Sequence, residues 1–217
     1  MKSIQRPSSN LRAQQTGALS GALIAVVVVV GLLVLLVVSS IGSYNGLQSR
    51  KTVVEQKIAV LDAAFVRRND LIPNLVETVK GSADFEKTTL ENLVKARASV
   101  GSMRPPDVND PAQVEAYMKA QAELGGALSR LLVVAENYPA LRATEQFGML
   151  QQQLEGSENR INVARVDWTA AVSDYNTKLR SFPGNILGGI FNFKELPQYQ
   201  AQESDRSVPK VDFGKQK

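Results

Sequence analysis

Neither histidine nor cysteine occurs in the 217 residues, and that decides most of the chemistry open to this chain. Triads built on His, Cys nucleophiles, thiolate sites and imidazole zinc sites are all excluded, as are disulfides. Carboxylates remain, and Asp70, Glu77 and Glu158 are the candidates for a metal-dependent or hydrolytic enzyme. Helical di-iron sites, however, combine carboxylates with a Glu-x-x-His repeat, which this chain cannot supply. The glycines of GALSG at 17–21 and of Gly188-Gly189 fit neither a Walker loop nor a dinucleotide fingerprint. The sequence therefore assigns no catalytic, cofactor-binding or metal-binding residue.

The element that must position everything else is the apolar run Leu19 to Val38, inside a stretch from Ala13 to Ser49 without a charged residue. Twenty apolar residues rising about 1.5 Å each match the roughly 30 Å hydrocarbon core of a bilayer. The run predicts a single transmembrane helix over 19–41. A cleaved signal peptide would carry a shorter apolar region and a small-x-small site, for which Ser40-Ile41-Gly42 is a weak match. The β-branched run Val26 to Val30 would suit a strand, but one strand cannot close a barrel in lipid.

Charge is shared unevenly along the chain. Lys2, Arg6 and Arg12 precede the span with no acid before Tyr44, and the rest carries 22 basic against 21 acidic side chains. The high pI thus belongs to the N-terminal tail, and no nucleic-acid surface is expected. Arg50, Lys51 and Lys57 follow the span, so the positive-inside rule gives almost a tie. The free amino terminus and the nearness of Arg12 tip it towards an N-terminus inside and a domain outside.

Beyond the span, apolar residues recur at three and four: Leu47, Val54, Ile58, Leu61 and Phe65, then Ile72, Val76 and Val79. Pro73 interrupts the stripe, with Asn69 and Asp70 as cap candidates, so the reading places a helix over 44–68 and another over 70–101. The stripe keeps nearly the same phase across the proline, which leaves one kinked helix as the alternative. GSMRPPDVNDP at 101–111 ends that helix, with Asp110 capping the next and Pro111 opening it. The third helix shows Val114, Tyr117, Gln121, Leu124, Leu128, Leu131 and Ala135, where Gln121 is the one polar seam member. The fourth, about 140–180, repeats a heptad-like seam through Phe147, Leu150, Leu154, Ser157, Ile161, Ala164, Trp168, Ala171 and Tyr175. Trp168, the only tryptophan, lies between small residues as a core packer should.

FPGNILGGIFNF at 182–193 is too glycine-rich for a stable helix and too apolar for an ordinary loop. Ile186, Leu187, Ile190, Phe191 and Phe193 are accordingly candidates either for the lipid interface or for capping the open end of a bundle. Residues 1–18 and 200–217 are polar and read as disordered tails.

Several ordered blocks resemble the LemA family of bacterial membrane proteins: SYNGL at 43–47, RRNDLIPNLVETVKG at 67–81, KARA at 95–98 and NYPALRATEQF at 137–147. LEGSENRINVARVDWTAAVSDYNTKLRSFPGN at 154–185 is the most specific, followed by FNFK at 191–194. The turn NILGGIFNFKELPQYQ departs from the shorter step to a proline-tyrosine ending that is usual there. The resemblance covers about 43–199. It implies an all-α protein in the bacterial inner membrane, a single transmembrane helix followed by a long antiparallel four-helix bundle over 44–199, without an established catalytic activity. No catalytic residue is carried over. The polar residues of the matching blocks, Arg67, Arg68, Asn69, Asp70, Asn74, Glu77, Glu158, Asn159, Arg160, Arg165, Asp174, Asn176 and Arg180, are expected to have a structural role, the charged ones forming interhelical pairs that fix register. The leading functional reading is a non-enzymatic scaffold or interaction module, touching the lipid bilayer and unidentified envelope or membrane proteins or its own copies. A lipid-contacting, membrane-shaping role for 182–193 is the second reading, and the carboxylate enzyme the last.

Overall fold

The computed structural model describes residues 13–81 and 85–198, with side chains from residue 21 onward. All regular structure among them is helical: α1 (Ala13–Lys80), α2 (Lys87–Gly101), α3 (Pro111–Ala135), α4 (Pro139–Arg142), α5 (Glu145–Arg180) and α6 (Gly184–Ile190). The tails expected at 1–12 and 200–217 lie outside the described residues, whereas 13–18, expected to belong to the first tail, are helical. The chain divides into two units, residues 1–46 and 47–217.

In the first unit, every large apolar side chain from Leu23 to Ile41 is 52–68% exposed. Burying such a run is favourable by roughly 1.5–3 kcal/mol per side chain, and water offers none of it. Among the described helices, α1 alone is long and apolar enough to cross a membrane.

The second unit has two apolar clusters. One gathers Leu47, Val54, Ile58, Leu61 and Phe65 of α1, Val114 and Tyr117 of α3, and Ile161 to Leu179 of α5. The other gathers Ile72, Leu75, Val76 and Val79 of α1, Leu93 and Val100 of α2, Leu124 to Ala135 of α3, and Phe147 to Leu154 of α5. The three-four stripes of the sequence account for most of these positions. In α5 the seam shifts at its end: Val172 is fully buried where Ala171 was expected.

Two expected boundaries move. Pro73 lies inside α1, which runs on to Lys80, so the helices expected at 44–68 and 70–101 are not divided there. A proline inside a helix costs about 3 kcal/mol, but Ile72, Leu75, Val76 and Val79 are each at most 6% exposed. Four buried aliphatic side chains at roughly 1.5–3 kcal/mol each outweigh one proline. The break comes instead at Gly81, whose N–H still donates to the Glu77 carbonyl at 3.2 Å. The fourth helix likewise starts later than expected. Pro139 opens only one turn, and Thr144 then caps α5, accepting from the Phe147 N–H at 3.4 Å while donating to the Leu141 carbonyl at 2.7 Å. Asp110 does cap α3 as expected, accepting from the Ala112 and Gln113 N–H groups at 3.0 and 3.2 Å.

Candidate functional site

A polar layer separates the two apolar clusters, and its residues occupy one position in each of three stripes. Arg68 falls between Phe65 and Ile72 on α1, Gln121 between Tyr117 and Leu124 on α3, and Ser157-Glu158 between Leu154 and Ile161 on α5. Arg68 is only 2% exposed. Its Nη1 donates to Glu158 Oε2 at 3.2 Å, and its Nη2 donates both to the Gln121 carbonyl and to Gln121 Oε1 at 2.9 Å. The guanidinium carbon stands 5.3 Å from the Phe65 ring centroid, within cation–π range. Gly125 leaves room for the guanidinium, because a Cβ there would lie 3.2 Å from Nη1.

Burial pulls the Arg68 pKa below its ordinary value, Glu158 opposes that shift, and the nearby Arg165 adds to it. An arginine stays charged under such a shift, so the layer holds a permanent cation. Its partner carboxylate is 47% exposed, and water shares in solvating the pair. Arg68 Nε and Ser157 Oγ are buried without a hydrogen-bond partner.

Beside the layer, the Tyr117 hydroxyl donates to Asp62 Oδ1, and the Tyr117 ring meets Phe65 edge-on at 6.0 Å. Burial first, then the hydrogen bond to Asp62, pushes the phenol pKa above its ordinary value. These residues, with Asn69, Val66, Val100, Gly101, Met103 and Pro105, line a cleft of about 160 Å³.

The expected network is thus only partly one network. Arg68 and Glu158 meet, but Arg67, Asp70 and Arg160 are exposed and take no part in the Arg68 bonds. Glu77 pairs with Lys80 within its own helix at 3.0 Å. Asp174 pairs with Arg50 at 2.9 Å, and Lys57 pairs with Asp167 at 2.7 Å. The carboxylates Asp70, Glu77 and Glu158 are not brought together, and among the described residues no three acidic side chains gather closely enough to hold a metal ion. Sequence reading missed Asp62 and gave Asn176 no partner. Asp62 flanks the α1 stripe and carries no local signal, since its partner Tyr117 is 55 residues away.

Asn176 belongs to a second construction at the end of α5. Its Nδ2 donates to the Leu196 carbonyl, and its Oδ1 accepts from the Leu196 N–H, both at 2.9 Å. The Tyr175 hydroxyl donates to the Lys194 carbonyl at 3.0 Å, and Arg180 grips Glu195 through two bonds at 2.8 and 2.7 Å. That contact lowers the Glu195 pKa and raises that of Arg180. Residues 193–196 are thereby strapped onto α5.

The segment expected to be an irregular, glycine-loosened stretch is helical at 184–190 and held by its glycines. A Cβ at Gly184 would come 2.3 Å from the Lys178 carbonyl oxygen, and one at Gly188 2.5 Å from Leu179 Cδ1. Close approach to α5 therefore demands glycine at 184, where the obstacle is backbone, and favours it at 188, where the Leu179 side chain would have to shift. The five candidate lipid contacts divide. Leu187 is buried at 6% exposure and Phe193 packs on the first apolar cluster, which removes both from a lipid surface. Ile186, Ile190 and Phe191 are exposed, as is Phe182.

The LemA family model matches residues 57–213, most of the helical body just described. The chain belongs to the LemA family. It is similar to magnetosome protein MamQ 2 of Paramagnetospirillum magneticum, 26% identical over 180 residues that cover 72% of this chain and 64% of that protein. Magnetosome protein MamQ of Magnetospirillum gryphiswaldense is 22% identical over 179 residues, covering 72% and 64%. Protein LemA of Metamycoplasma hominis is 22% identical over 167 residues, covering 76% and 73%. The match thus spans less than two thirds of the length of the magnetosome relatives. This LemA-family chain is a membrane-associated helical protein, and its shared part contains both the Arg68 layer and the strap.

Proposed function

We propose that this chain is a single-pass protein of the bacterial inner membrane whose helical body, on the extracytoplasmic side, acts as a non-enzymatic scaffold for other envelope or membrane proteins or for further copies of itself. The observation that carries the reading is where the body spends its polar groups. Arg50–Asp174, Lys57–Asp167 and Arg68–Glu158 each join α1 to α5, and the α5 number falls as the α1 number rises. Such a ladder supports antiparallel helices in a four-helix bundle held in one register, the role in which buried polar residues are best attested. A body whose charges fix helix against helix presents rigid long surfaces to partners instead of a reaction centre.

The test is recovery of complexes by the full chain, span included, from mild-detergent extracts after cross-linking in the membrane. Specific partners or discrete homo-oligomers are expected. Recovery of neither, across several detergents, would overturn the scaffold reading, while substrate turnover by the purified chain would replace it with an enzymatic one.

A further inference from the structure

Three large apolar side chains stand uncovered on and beside α6. Phe182 is 77% exposed, Ile186 54% and Ile190 68%, and Ile186 and Ile190 sit one helical turn apart on the same side. Loose chain would fold such residues away, but this segment is fixed. Leu187 and the tight contacts of Gly184 and Gly188 seat α6 on α5, the Phe193 N–H donates to the Gly188 carbonyl at 2.9 Å, and Asn176 and Arg180 lock Leu196 and Glu195 beyond it. Asn192 turns the chain there through a left-handed backbone, φ 57°, a conformation asparagine tolerates. The apolar side chains are held out towards a solvent in which they gain nothing.

We propose that Phe182, Ile186 and Ile190 enter the headgroup–acyl boundary of the membrane that the apolar helix crosses, making α6 a second, interfacial contact of this chain with lipid. The inference rests on the reading that α1 spans a bilayer. Chain length then supplies the occupant. Leu47, the residue that opens the helical body, shares a cluster with Leu179, Phe193 and Leu196 around the base of α6. Ile41, the last large apolar residue of the run, precedes Leu47 by six positions, which even fully extended chain spans in about 20 Å. This end of the body is therefore leashed to the bilayer surface whatever the path between. Charge agrees: Lys178, Arg180 and Lys194 flank the patch against one acid, Glu195, and an excess of basic residues beside apolar ones is what an anionic lipid surface attracts. Leu187 and Phe193 cap the bundle end, and the remaining side chains face lipid.

The chain lacks cysteine, so single cysteines can carry an environment-sensitive fluorophore at 190, at 133 or at 30 in the full chain, reconstituted into vesicles with and without shallow nitroxide-labelled anionic lipid. Val133 matches Ile190 at 68% exposure but lies on the stretch of α3 that carries the other cluster. Expected is a roughly twofold loss of emission at 190, none at 133, and a smaller loss at 190 when Phe182→Ser and Ile186→Ser are introduced. Equal signals at 190 and 133 would overturn the inference, as would label-to-label quenching at 190 without lipid quenching, which would put a second copy on the patch. The label at 30, read with deep-chain nitroxide lipid, reports the span separately. Quenching at 30 with none at 190 sinks only this inference, and silence at both sinks the spanning reading as well.

Discussion

Arg68 and Gln121 should be coupled much more strongly to each other than either is to the rest of the fold. Arg68→Ala removes one member of a buried pair, leaves Gln121 Oε1 without its 2.9 Å donor and empties the space of two methylenes and the guanidinium. The orphaned buried acceptor costs about 1–3 kcal/mol, and each lost buried methylene adds about 0.8 kcal/mol. Glu158 adds little, because a carboxylate that is 47% exposed returns to water. Arg68→Met keeps most of the volume, so its loss should be smaller, about 1–3 kcal/mol for the orphaned Gln121 oxygen. Gln121→Leu alone strips the buried guanidinium of its side-chain acceptor and should cost a similar amount. The double variant Arg68→Met/Gln121→Leu removes both polar groups and continues the apolar clusters through the layer. It should lie within about 1 kcal/mol of the parent or above it, as buried pairs replaced by apolar side chains often do. Thermal unfolding of the full chain in detergent, followed by the fluorescence of the single, 1% exposed Trp168, measures all four corners. Additivity within about 0.5 kcal/mol would refute the reasoning, since independent sites behave that way.

Three further outcomes rest on the geometry. Pro73→Ala restores an N–H inside α1 and should stabilise the body by about 1–3 kcal/mol; a loss of stability in the same melts would mean that the proline ring packs better than its missing bond costs. Asn176→Ala should release the Leu196 amide, raising its hydrogen-exchange rate by tenfold or more for a loss of about 1.4 kcal/mol, with the α3 amides unchanged; unaltered protection at Leu196 would show that the strap holds without the clamp. Tyr117 titrates above its ordinary value of 10.0, so the folded state binds the phenolic proton more tightly than the unfolded one. The sign is therefore that its stabilisation is complete below about pH 10 and is lost as the pH rises through the shifted value. Melts should show the parent weakening as the pH rises above about 10 and Tyr117→Phe weakening less, whereas equal weakening would assign the alkaline loss elsewhere, for instance to the buried Tyr175 phenol.

The stripes were legible because burial enforces a three-four period on every helix that packs one face. Leu47 through Val79, Val114 through Ala135 and Phe147 through Tyr175 could be read off by spacing, and all but Ala171 of those seams are buried. The same spacing contained the polar layer, since Arg68 fills the gap between Phe65 and Ile72. It could not say that Arg68 meets Gln121, because periodicity describes one helix and that contact joins residues 53 apart. Pro73 and Gly81 compete as helix stops, and packing on both sides of the proline decides for the glycine. Gly184 and Gly188 suggested looseness by composition, whereas their role is close approach, which only the neighbouring Lys178 carbonyl and Leu179 side chain reveal. Asn176 looked like one more polar residue on a long helix, and its partner is the backbone of Leu196, a group no side-chain pattern records.

If one uncovered apolar helix ties the helical body to a membrane, alkaline carbonate extraction of membranes holding the full chain must leave it in the pellet. The chain is expected to stay in the membrane pellet through carbonate, since Leu23 to Ile41 find no other shelter, and removing 19–41 is expected to free the body from it. Release of the full chain by carbonate, or pellet retention unaffected by the deletion, would contradict that attachment.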